Sequence, residues 1–329
     1  MPMLILAALA AAATTAPQPG AVKTFKDWTV ACDNIQSCSA VMLMPEDEAA
    51  SDDYTLVSLA RTGLANAPIT IDADTGSARG EVVLMVDGAA VQPLGTAKGS
   101  GVSGALTLAT LAKMAQGSRI EIRVAGKAAG SGSLAGFSAA MRYWDAAQRR
   151  DGGTDAIVAK GKAVRSIVPP PAPRVTAARI PLAKVPVPGK ATIAMLAKKF
   201  GCEDEQDGPG SAEAYALGGG RTLILVPCGA GAYNFSSKPV IATGKSYVLA
   251  PFDLAPDWGG GDIELVNAGF DAKTATLSSF AKGRGVGDCG TSQTWVWDGT
   301  RFRLTEMTRM DECRGSVDWM RTWTATVVR

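Results

Sequence analysis

The side chains that could do acid–base or nucleophilic chemistry here are carboxylates, serines, lysines and cysteines, because the sequence contains no histidine. Ser-His-Asp and Cys-His arrangements, His-ligated zinc sites and His-based pH switches are therefore excluded. Paired carboxylates remain available as general acid and base, as in glycoside hydrolases. Nothing in the sequence pairs the four carboxylates near the tryptophan-rich C-terminal strands, which are Asp262, Glu264, Asp288 and Glu306.

Four short motifs resemble known sites but lack the required context. The pattern G-x-G-x-x-G at 99–104 has no strand directly before it, as a dinucleotide-binding loop requires. The G-K-S at 244–246 lacks the first glycine of a P-loop. Ser279 and Lys282 match penicillin-binding enzymes in those two residues alone, and the alternating carboxylates at 72–76 lack the other ligands of a calcium loop. We expect no catalytic residue, no metal site and no cofactor.

The six cysteines predict three disulfide bonds. An even number of cysteines without a C-x-x-C pair is typical of a protein from an oxidising compartment. Any pairing is formally open, but neighbours along the chain are closest and bracket short turns or paired strands. We expect the bonds Cys32–Cys38, Cys202–Cys228 and Cys289–Cys313, with free or metal-binding thiols as the alternative.

Residues 1–16 are predicted to be a signal peptide. An apolar run at 4–13 is followed by small residues, although no Lys or Arg precedes it and cleavage after Ala13 is equally open. The run is about half the ~20 residues that a membrane-spanning helix needs. We expect a periplasmic or secreted protein with no transmembrane segment after removal of the signal.

A basic, proline-rich segment predicts a boundary between two domains. Seven prolines lie between Pro169 and Pro188, which favours an extended polyproline conformation. Residues 156–200 contain nine Lys and Arg and no Asp or Glu, so the rest of the chain is acidic. We predict domains at 21–155 and 190–329 joined by a linker at 156–189. Its charge could bind an anionic envelope polymer or lipid headgroups, or could simply keep a solvated linker soluble.

Hydrophobic patterning predicts a mainly β (α+β) fold. The first domain is predicted to be an antiparallel β-sandwich-like domain with two flanking helices, 106–115 and 137–149; its strands include 28–31, 54–60, 81–86 and 119–124. The second is predicted to be an antiparallel β-meander led by one amphipathic helix, 191–200; its strands are 221–226, 246–250, 262–266, 274–280, 294–297 and 302–307. Asp298-Gly299 predicts a tight hairpin turn.

Tryptophan is concentrated at the C-terminal end, where five of the seven lie from Trp258 onward. Such a density is compatible with a sugar-binding surface, or with one ring of Trp295 and Trp297 in the core and the other on the sheet face. We include both residues in a candidate binding surface.

Three ordered motifs carry a family resemblance. They are Phe25 to Trp28 with the following Cys32-Asp33-Asn34 and Cys38, the stretch 226–234, and the stretch 282–290 that leads into the Trp-Val-Trp-Asp-Gly hairpin. Together they resemble the exported proteobacterial domain-of-unknown-function family 1176. The N-terminal half is also similar to the invasion-associated locus B domain, in Trp28-x-Val-x-Cys and in the stretches 86–88 and 134–137. These resemblances imply an envelope protein and no established reaction.

The matched stretch 282–290 is the best candidate for a functional surface, through Lys282, Arg284 and Asp288. Arg284 could bind a carboxylate or phosphate with two parallel hydrogen bonds. Alternatively, the glycines shape a bulged strand in which Arg284 and Asp288 pair internally. We predict a non-catalytic binding or interaction module for an envelope protein or glycan, with no nucleic-acid partner. The alternative function is a carboxylate-dependent hydrolase acting on envelope glycans.

Overall fold

The computed structural model describes residues 16–46, 54–165, 167–202, 211–256 and 263–329. These residues form 22 β-strands and three α-helices, which confirms the mainly β fold class. No helix within these ranges is long and apolar enough to cross a membrane. The predicted signal peptide lies outside the described residues, apart from Ala16.

The first sheet has six antiparallel strands and forms one layer of the N-terminal half. Its order is β1-β2-β3-β4-β5-β8. The strands are β1 (Val22–Phe25), β2 (Trp28–Cys32), β3 (Cys38–Met42), β4 (Val57–Arg61), β5 (Ile69–Ala73) and β8 (Val102–Leu106). In β4, Val57, Leu59 and Arg61 are buried and the residues between them are more exposed, because alternate side chains point to opposite faces.

A second sheet and two helices complete the core of this half. The sheet order is β10-β9-β6-β7, and the elements are β6 (Arg79–Val86), β7 (Ala89–Lys98), α1 (Leu108–Gln116), β9 (Arg119–Val124), β10 (Lys127–Ser133) and α2 (Phe137–Ala147). The Thr107 hydroxyl accepts the N–H of Thr110 and caps α1. Trp28 and Phe137 pack edge-to-face with ring centroids 4.8 Å apart. The predicted sandwich-like arrangement with two flanking helices is confirmed.

The C-terminal half begins with α3 (Lys190–Lys199), which packs its buried Leu196 against Ile224 and Val240 of the next sheet. That sheet runs β12-β13-β14-β15, with β16 beside β14. Its strands are β12 (Glu213–Gly218), β13 (Arg221–Ala230), β14 (Phe235–Thr243), β15 (Ser246–Leu249) and β16 (Leu265–Val266).

The last large sheet is an antiparallel meander. Its strands follow chain order: β17 (Gly269–Asp271), β18 (Thr276–Lys282), β19 (Gly290–Trp297), β20 (Phe302–Met310) and β21 (Met320–Thr324). The predicted hairpin joins β19 and β20. Its positive φ falls at Gly299 (102°), and the Asp298 carboxylate accepts the N–H groups of Thr300 and Arg301 at 2.7 and 2.9 Å. The predicted leading helix and meander are confirmed.

The proline-rich segment also contributes to the C-terminal half. Its strand β11 (Arg174–Thr176) pairs in parallel with β22 (Thr326–Val328). Val175 and Ala177 are buried against Val296 of β19. The segment predicted as an extended spacer therefore covers one face of the meander, while the domain boundaries at 156 and 189 stay a prediction.

Three disulfide bonds each join one cysteine to the next cysteine along the chain. Cys32–Cys38 links the directly opposed ends of β2 and β3, Cys202–Cys228 ties the end of α3 to β13, and Cys289–Cys313 ties the segment 282–290 to the loop after β20. These are the pairs predicted from spacing.

Candidate functional site

Hydrogen bonds between its own residues stabilise the segment 282–290. Arg284 Nε donates to Asp288 Oδ1 at 2.6 Å, and a second guanidinium nitrogen contacts Oδ2. The N–H of Gly287 donates to the carbonyl of Arg284 at 2.9 Å. Asp288 is only 2% exposed, whereas 48% of the Arg284 side chain is exposed. Arg284 and Asp288 therefore pair with each other, and Asp288 is not part of an open surface.

The ion pair makes the contribution of Asp288 to stability dependent on pH. The hydrogen bond from Arg284, supported by the N–H of Gly315 at 2.8 Å, holds the pKa of Asp288 below its usual value. Such a group stabilises the fold above its unfolded pKa of about 3.9, and this stability is lost as pH falls through the folded-state pKa. We expect Asp288→Asn to lower the free energy of unfolding by about 1–3 kcal/mol at neutral pH, with the difference shrinking below pH ~4. Urea unfolding at several pH values checks this, and a difference independent of pH would contradict it.

The second family motif holds the same segment from the other side. Asn234 Nδ2 donates to the Lys282 carbonyl at 2.8 Å, and its Oδ1 accepts the N–H of Lys282 at 3.2 Å. The Tyr233 hydroxyl donates to the carbonyl of Gly283 at 3.2 Å. The Lys282 ammonium lies 5.6 Å from the centre of the Tyr233 ring, a cation–π contact. The backbone of the segment is thus fixed on both sides.

The first family motif joins the two halves of the chain. Arg314, which follows the third disulfide, donates to the carbonyls of Met44 and Lys26 at 2.6 and 2.7 Å and to the Asp27 carboxylate at 2.6 Å. Its side chain is 12% exposed. Lys26 and Asp27 of the first motif therefore connect the N-terminal half to the loop after β20.

A second contact between the halves lies at the Cys32–Cys38 turn. Asn34 exchanges two hydrogen bonds with the backbone of Thr324, at 3.0 and 2.8 Å. The buried Asp33 carboxylate accepts the N–H groups of Ile35 and Ser37 and pairs with Arg321 at 2.8 Å. This turn and β21 consequently hold each other in place.

Trp295 and Trp297 lie in the core and form no binding surface. They are 0% and 1% exposed. Trp295 Nε1 donates to the Leu254 carbonyl at 2.9 Å, and its ring packs edge-to-face on Phe252. The prediction that one ring lies on each face of the sheet was wrong, because residues two apart in a strand share a face. Val296 occupies the opposite face, under β11.

We name four apolar residues beside the segment 282–290 the aromatic patch: the exposed Phe280, Val286 and Val317, and the half-buried Trp319. Phe280, Val286 and Val317 are 40%, 73% and 52% exposed. The rings of Phe280 and Trp319 stack with centroids 4.8 Å apart. Trp319 Nε1 donates to the Gly287 carbonyl at 3.1 Å, which fixes the indole against the segment.

The outward orientation of Phe280 could have been predicted from the sequence. In β18 the less buried positions are Thr276, Ser278, Phe280 and Lys282. An aromatic residue among polar residues on one face of a strand points away from the core, and such exposed rings are enriched at interfaces. Trp319 gave no comparable signal, because its stacking partner lies 39 positions earlier in the chain.

A cleft opens where β3 and β4 of the N-terminal half meet β21. Its volume is about 410 Å³, and its lining includes Arg61, Pro68, Trp319 and Arg321. Sequence reasoning missed this cleft, since its walls come from segments that are far apart in the chain, at residues 37–39, 60–70 and 319–321.

The motifs rejected on context have structural roles. Gly99 and Gly101 lie between β7 and β8, and Gly104 lies within β8. The expectation that no strand directly precedes this motif was wrong, because β7 ends at Lys98, but the motif leads into strand β8 and not directly into a helix. The Ser279 hydroxyl accepts the N–H of Val266 at 2.9 Å and lies within 3.1 Å of its carbonyl, so it is engaged with the backbone. Asp74 accepts the N–H of Gly76 in a turn. No group of three or more Cys, Asp or Glu that could hold a metal ion occurs within the described ranges.

The carboxylates considered for hydrolysis do not converge. Glu264 lies 3.3 Å from the buried Lys238 ammonium, Asp288 pairs with Arg284, and Glu306 is an exposed residue of β20. Asp262 lies outside the described residues. The geometry gives the hydrolase alternative no support.

The fold and these contacts define a disulfide-bonded, mainly β protein. Hydrogen bonds and ion pairs join its C-terminal meander to its N-terminal, sandwich-like half. The chain belongs to the DUF1176 family of proteins of unknown function, whose family model matches residues 22–326. The family predicted from the three motifs is therefore confirmed.

Two known proteins are similar to this chain. It is 28% identical over 339 residues to the uncharacterized protein YpfG of Escherichia coli (strain K12), with 92% of each chain covered. The crystal structure of invasion associated protein B from Bartonella henselae matches with a TM-score of 0.32 and 18% identity, over 39% of this chain and 99% of that one. At this TM-score the structural likeness carries no argument about fold or function.

Proposed function

We propose that this protein is an exported, non-catalytic binding module that recognises a partner protein of the cell envelope through the aromatic patch. Three disulfide bonds and the apolar N-terminal run support export to an oxidising compartment, periplasmic or extracellular. The observation that carries the binding role is the stacking of exposed Phe280 on half-buried Trp319, with exposed Val286 next to the Gly287 whose carbonyl Trp319 binds.

The chemistry of the patch suits a protein partner. Contiguous exposed apolar side chains mark interaction sites, and tryptophan and arginine are the residues most often responsible for binding energy there. The exposed part of Arg284 and the ammonium of Lys282 supply a polar rim next to the apolar centre.

The patch is also held in one conformation before any partner binds. The segment 282–290 is fixed by Asn234, by the Cys289–Cys313 bond and by the Arg284–Asp288 pair. A preorganised surface loses less conformational entropy on association, so more of its contact energy appears as affinity.

We expect Phe280→Ser combined with Val286→Ser to reduce partner capture at least about tenfold, because both side chains are truncated at the centre of the contact. The measurement is in-cell cross-linking of the tagged protein followed by quantitative mass spectrometry of the captured proteins. The matched control is Val187→Ser with Val248→Ser, two valines that are 49% and 53% exposed elsewhere.

The proposal is supported when one envelope protein is captured by wild type and by the control but not by the patch variant. It is contradicted when wild type captures nothing above background, or when patch and control variants behave alike. A further variant tests the basic, proline-rich segment; in it, Arg165, Arg174, Arg179 and Lys184 are changed to Ser. If this variant alone lost partner capture, the contact would lie in the linker and not in the aromatic patch.

A further inference from the structure

A cavity beyond the C-terminal end of α2 is lined by two exposed arginines, and we name it the arginine cavity. Its volume is about 410 Å³, and its lining consists of Gln36, Arg149, Arg165, Ile167 and Val168. Both arginines are exposed, and neither forms an ion pair with a residue of the described ranges. Two guanidinium groups that face one cavity without a carboxylate are available to a ligand.

The buried charges nearby balance one another and leave the two arginines of the cavity unmatched. Arg150 and Arg61 share the Asp155 carboxylate, and the second buried carboxylate of this region is Asp145. Asp151 is exposed and accepts a hydrogen bond from Arg165 only through its backbone carbonyl, at 2.7 Å. Residues 149–165 carry five Lys and Arg against two Asp, so the surface around the cavity is cationic.

The loop that carries Arg165 is fixed before any ligand binds. The Asp145 carboxylate of α2 accepts the three N–H groups of residues 157–159 at 2.8, 2.9 and 2.9 Å. The N–H of Gly152 donates to the Ala159 carbonyl at 2.7 Å, and the N–H of Thr154 donates to the carbonyl of residue 163 at 3.0 Å. A fixed loop loses less conformational entropy when a ligand binds.

Gln36 supplies a third hydrogen-bond donor to the cavity. Its Oε1 is buried without a partner, which leaves the amide nitrogen as the polar atom that can reach a ligand. Within the described part of the chain, this Nε2 makes no hydrogen bond of its own. The three polar side chains of the lining therefore all present N–H donors, which is the composition of an anion site.

Gln36 and Arg149 also have backbone conformations that favour glycine. Their φ angles are 60° and 57°. A side chain at such a φ costs free energy that glycine avoids. Arg149 directly follows Gln148, the C-cap residue of α2, at the position where glycine is most frequent. Both positions therefore keep a donor side chain at a cost in stability, as is found at functional sites.

We propose that the arginine cavity binds a phosphate group, with the guanidinium groups of Arg149 and Arg165 and the amide of Gln36 donating to its oxygens. A phosphate group has an oxygen for each of the three donors, whereas a carboxylate has only two oxygens. Its two negative charges offset the two unmatched guanidinium groups. The site shares no residue with the aromatic patch, so phosphate binding and partner capture are tested independently.

The experiment is an NMR titration of the ¹⁵N-labelled, disulfide-bonded chain with glycerol 3-phosphate, inorganic phosphate and acetate. Arg149→Gly removes one guanidinium group and relieves the positive φ, so it should not lower the urea concentration at which the protein unfolds. Arg165→Ser removes the other guanidinium group. The matched control is Lys26→Gly, which removes a cation from an exposed residue with a φ of 53° in the turn between β1 and β2.

We expect both phosphate probes to shift the amide signals of Gln36, Arg149 and Val168 and to bind at least about tenfold more tightly than acetate. Arg149→Gly and Arg165→Ser should each weaken phosphate binding at least about tenfold, and Lys26→Gly should leave it unchanged. The proposal is overturned if neither phosphate probe shifts these signals, if acetate binds equally well, or if the two cavity variants bind phosphate as Lys26→Gly does.

Sedimentation with phosphatidylcholine vesicles that contain phosphatidic acid distinguishes a lipid headgroup from a soluble phosphate ester. Cosedimentation of wild type but not of Arg149→Gly would support a lipid headgroup as the ligand. A wild type that binds glycerol 3-phosphate and stays in solution would support a soluble ester. Equal cosedimentation of wild type and Arg149→Gly would exclude a lipid headgroup as the ligand of this cavity.

Discussion

Replacing Arg314 by methionine is expected to lower the free energy of unfolding by about 3 kcal/mol. The substitution keeps the apolar stem and removes three hydrogen bonds to the N-terminal half, to Met44, Lys26 and Asp27. Asp27, whose side chain is 14% exposed, loses its cationic partner. The cost is large because a mostly buried carboxylate then lacks compensation.

The measurement is urea unfolding of the disulfide-bonded protein, followed by circular dichroism. Arg301→Met is the matched control, since Arg301 is an exposed turn residue and surface changes of this kind stay within about 0.5 kcal/mol. Arg314→Lys should fall between wild type and Arg314→Met, because an ammonium keeps the charge without the planar fork. Equal unfolding curves for the Arg314→Met and Arg301→Met variants would show that this contact does not stabilise the molecule.

Replacing Trp295 by alanine is expected to lower the free energy of unfolding by about 3–5 kcal/mol, because it opens a large cavity in the core of the C-terminal half. The ring is fully buried against Phe252, and its loss also removes the hydrogen bond to the Leu254 carbonyl. Trp295→Phe should cost less, since an aromatic ring still fills part of the space.

The measurement is denaturant unfolding of wild type, Trp295→Ala and Trp295→Phe, combined with the cross-linking capture described above. Together the two measurements distinguish a role of Trp295 in the core from a role at the surface. Val286→Ala is the control for stability, since Val286 is 73% exposed and its truncation should change stability little. If Trp295→Ala reduced partner capture while leaving the unfolding curve unchanged, the core assignment would be refuted and Trp295 would belong to a surface.

Local patterns predicted most of the elements. Alternation identified the strand 119–124 with the boundaries that it has in the structure, Arg119–Val124. The i, i+3, i+4, i+7 spacing identified α3 to within one residue at each end. Both succeed because burial of one face follows directly from the repeat of the backbone. The hairpin turn lies one residue later than the predicted pair Asp298-Gly299. The Asp298 side chain accepts backbone N–H groups of this turn, and spacing alone does not reveal these hydrogen bonds.

The candidate site was predicted less well. Lys282 and Arg284 were identified through the glycine-rich motif, and they rim the aromatic patch. Trp295 and Trp297 were predicted to lie on a surface, because the residues that bury them come from other strands and loops and leave no mark in the sequence of β19. Arg61 was not identified as a cleft residue, because the sequence of β4 has the pattern of an ordinary core strand.

By itself, the sequence determined the absence of imidazole chemistry, the mainly β class, the three disulfide pairs and the family, because each depends on residue type or on short spacings. Only the tertiary structure decided which faces are covered, how Arg314 joins the halves, and that Arg61 and Arg321 line one cleft. Those residues are far apart in the chain, and burial and charge pairing depend on which segments meet in space.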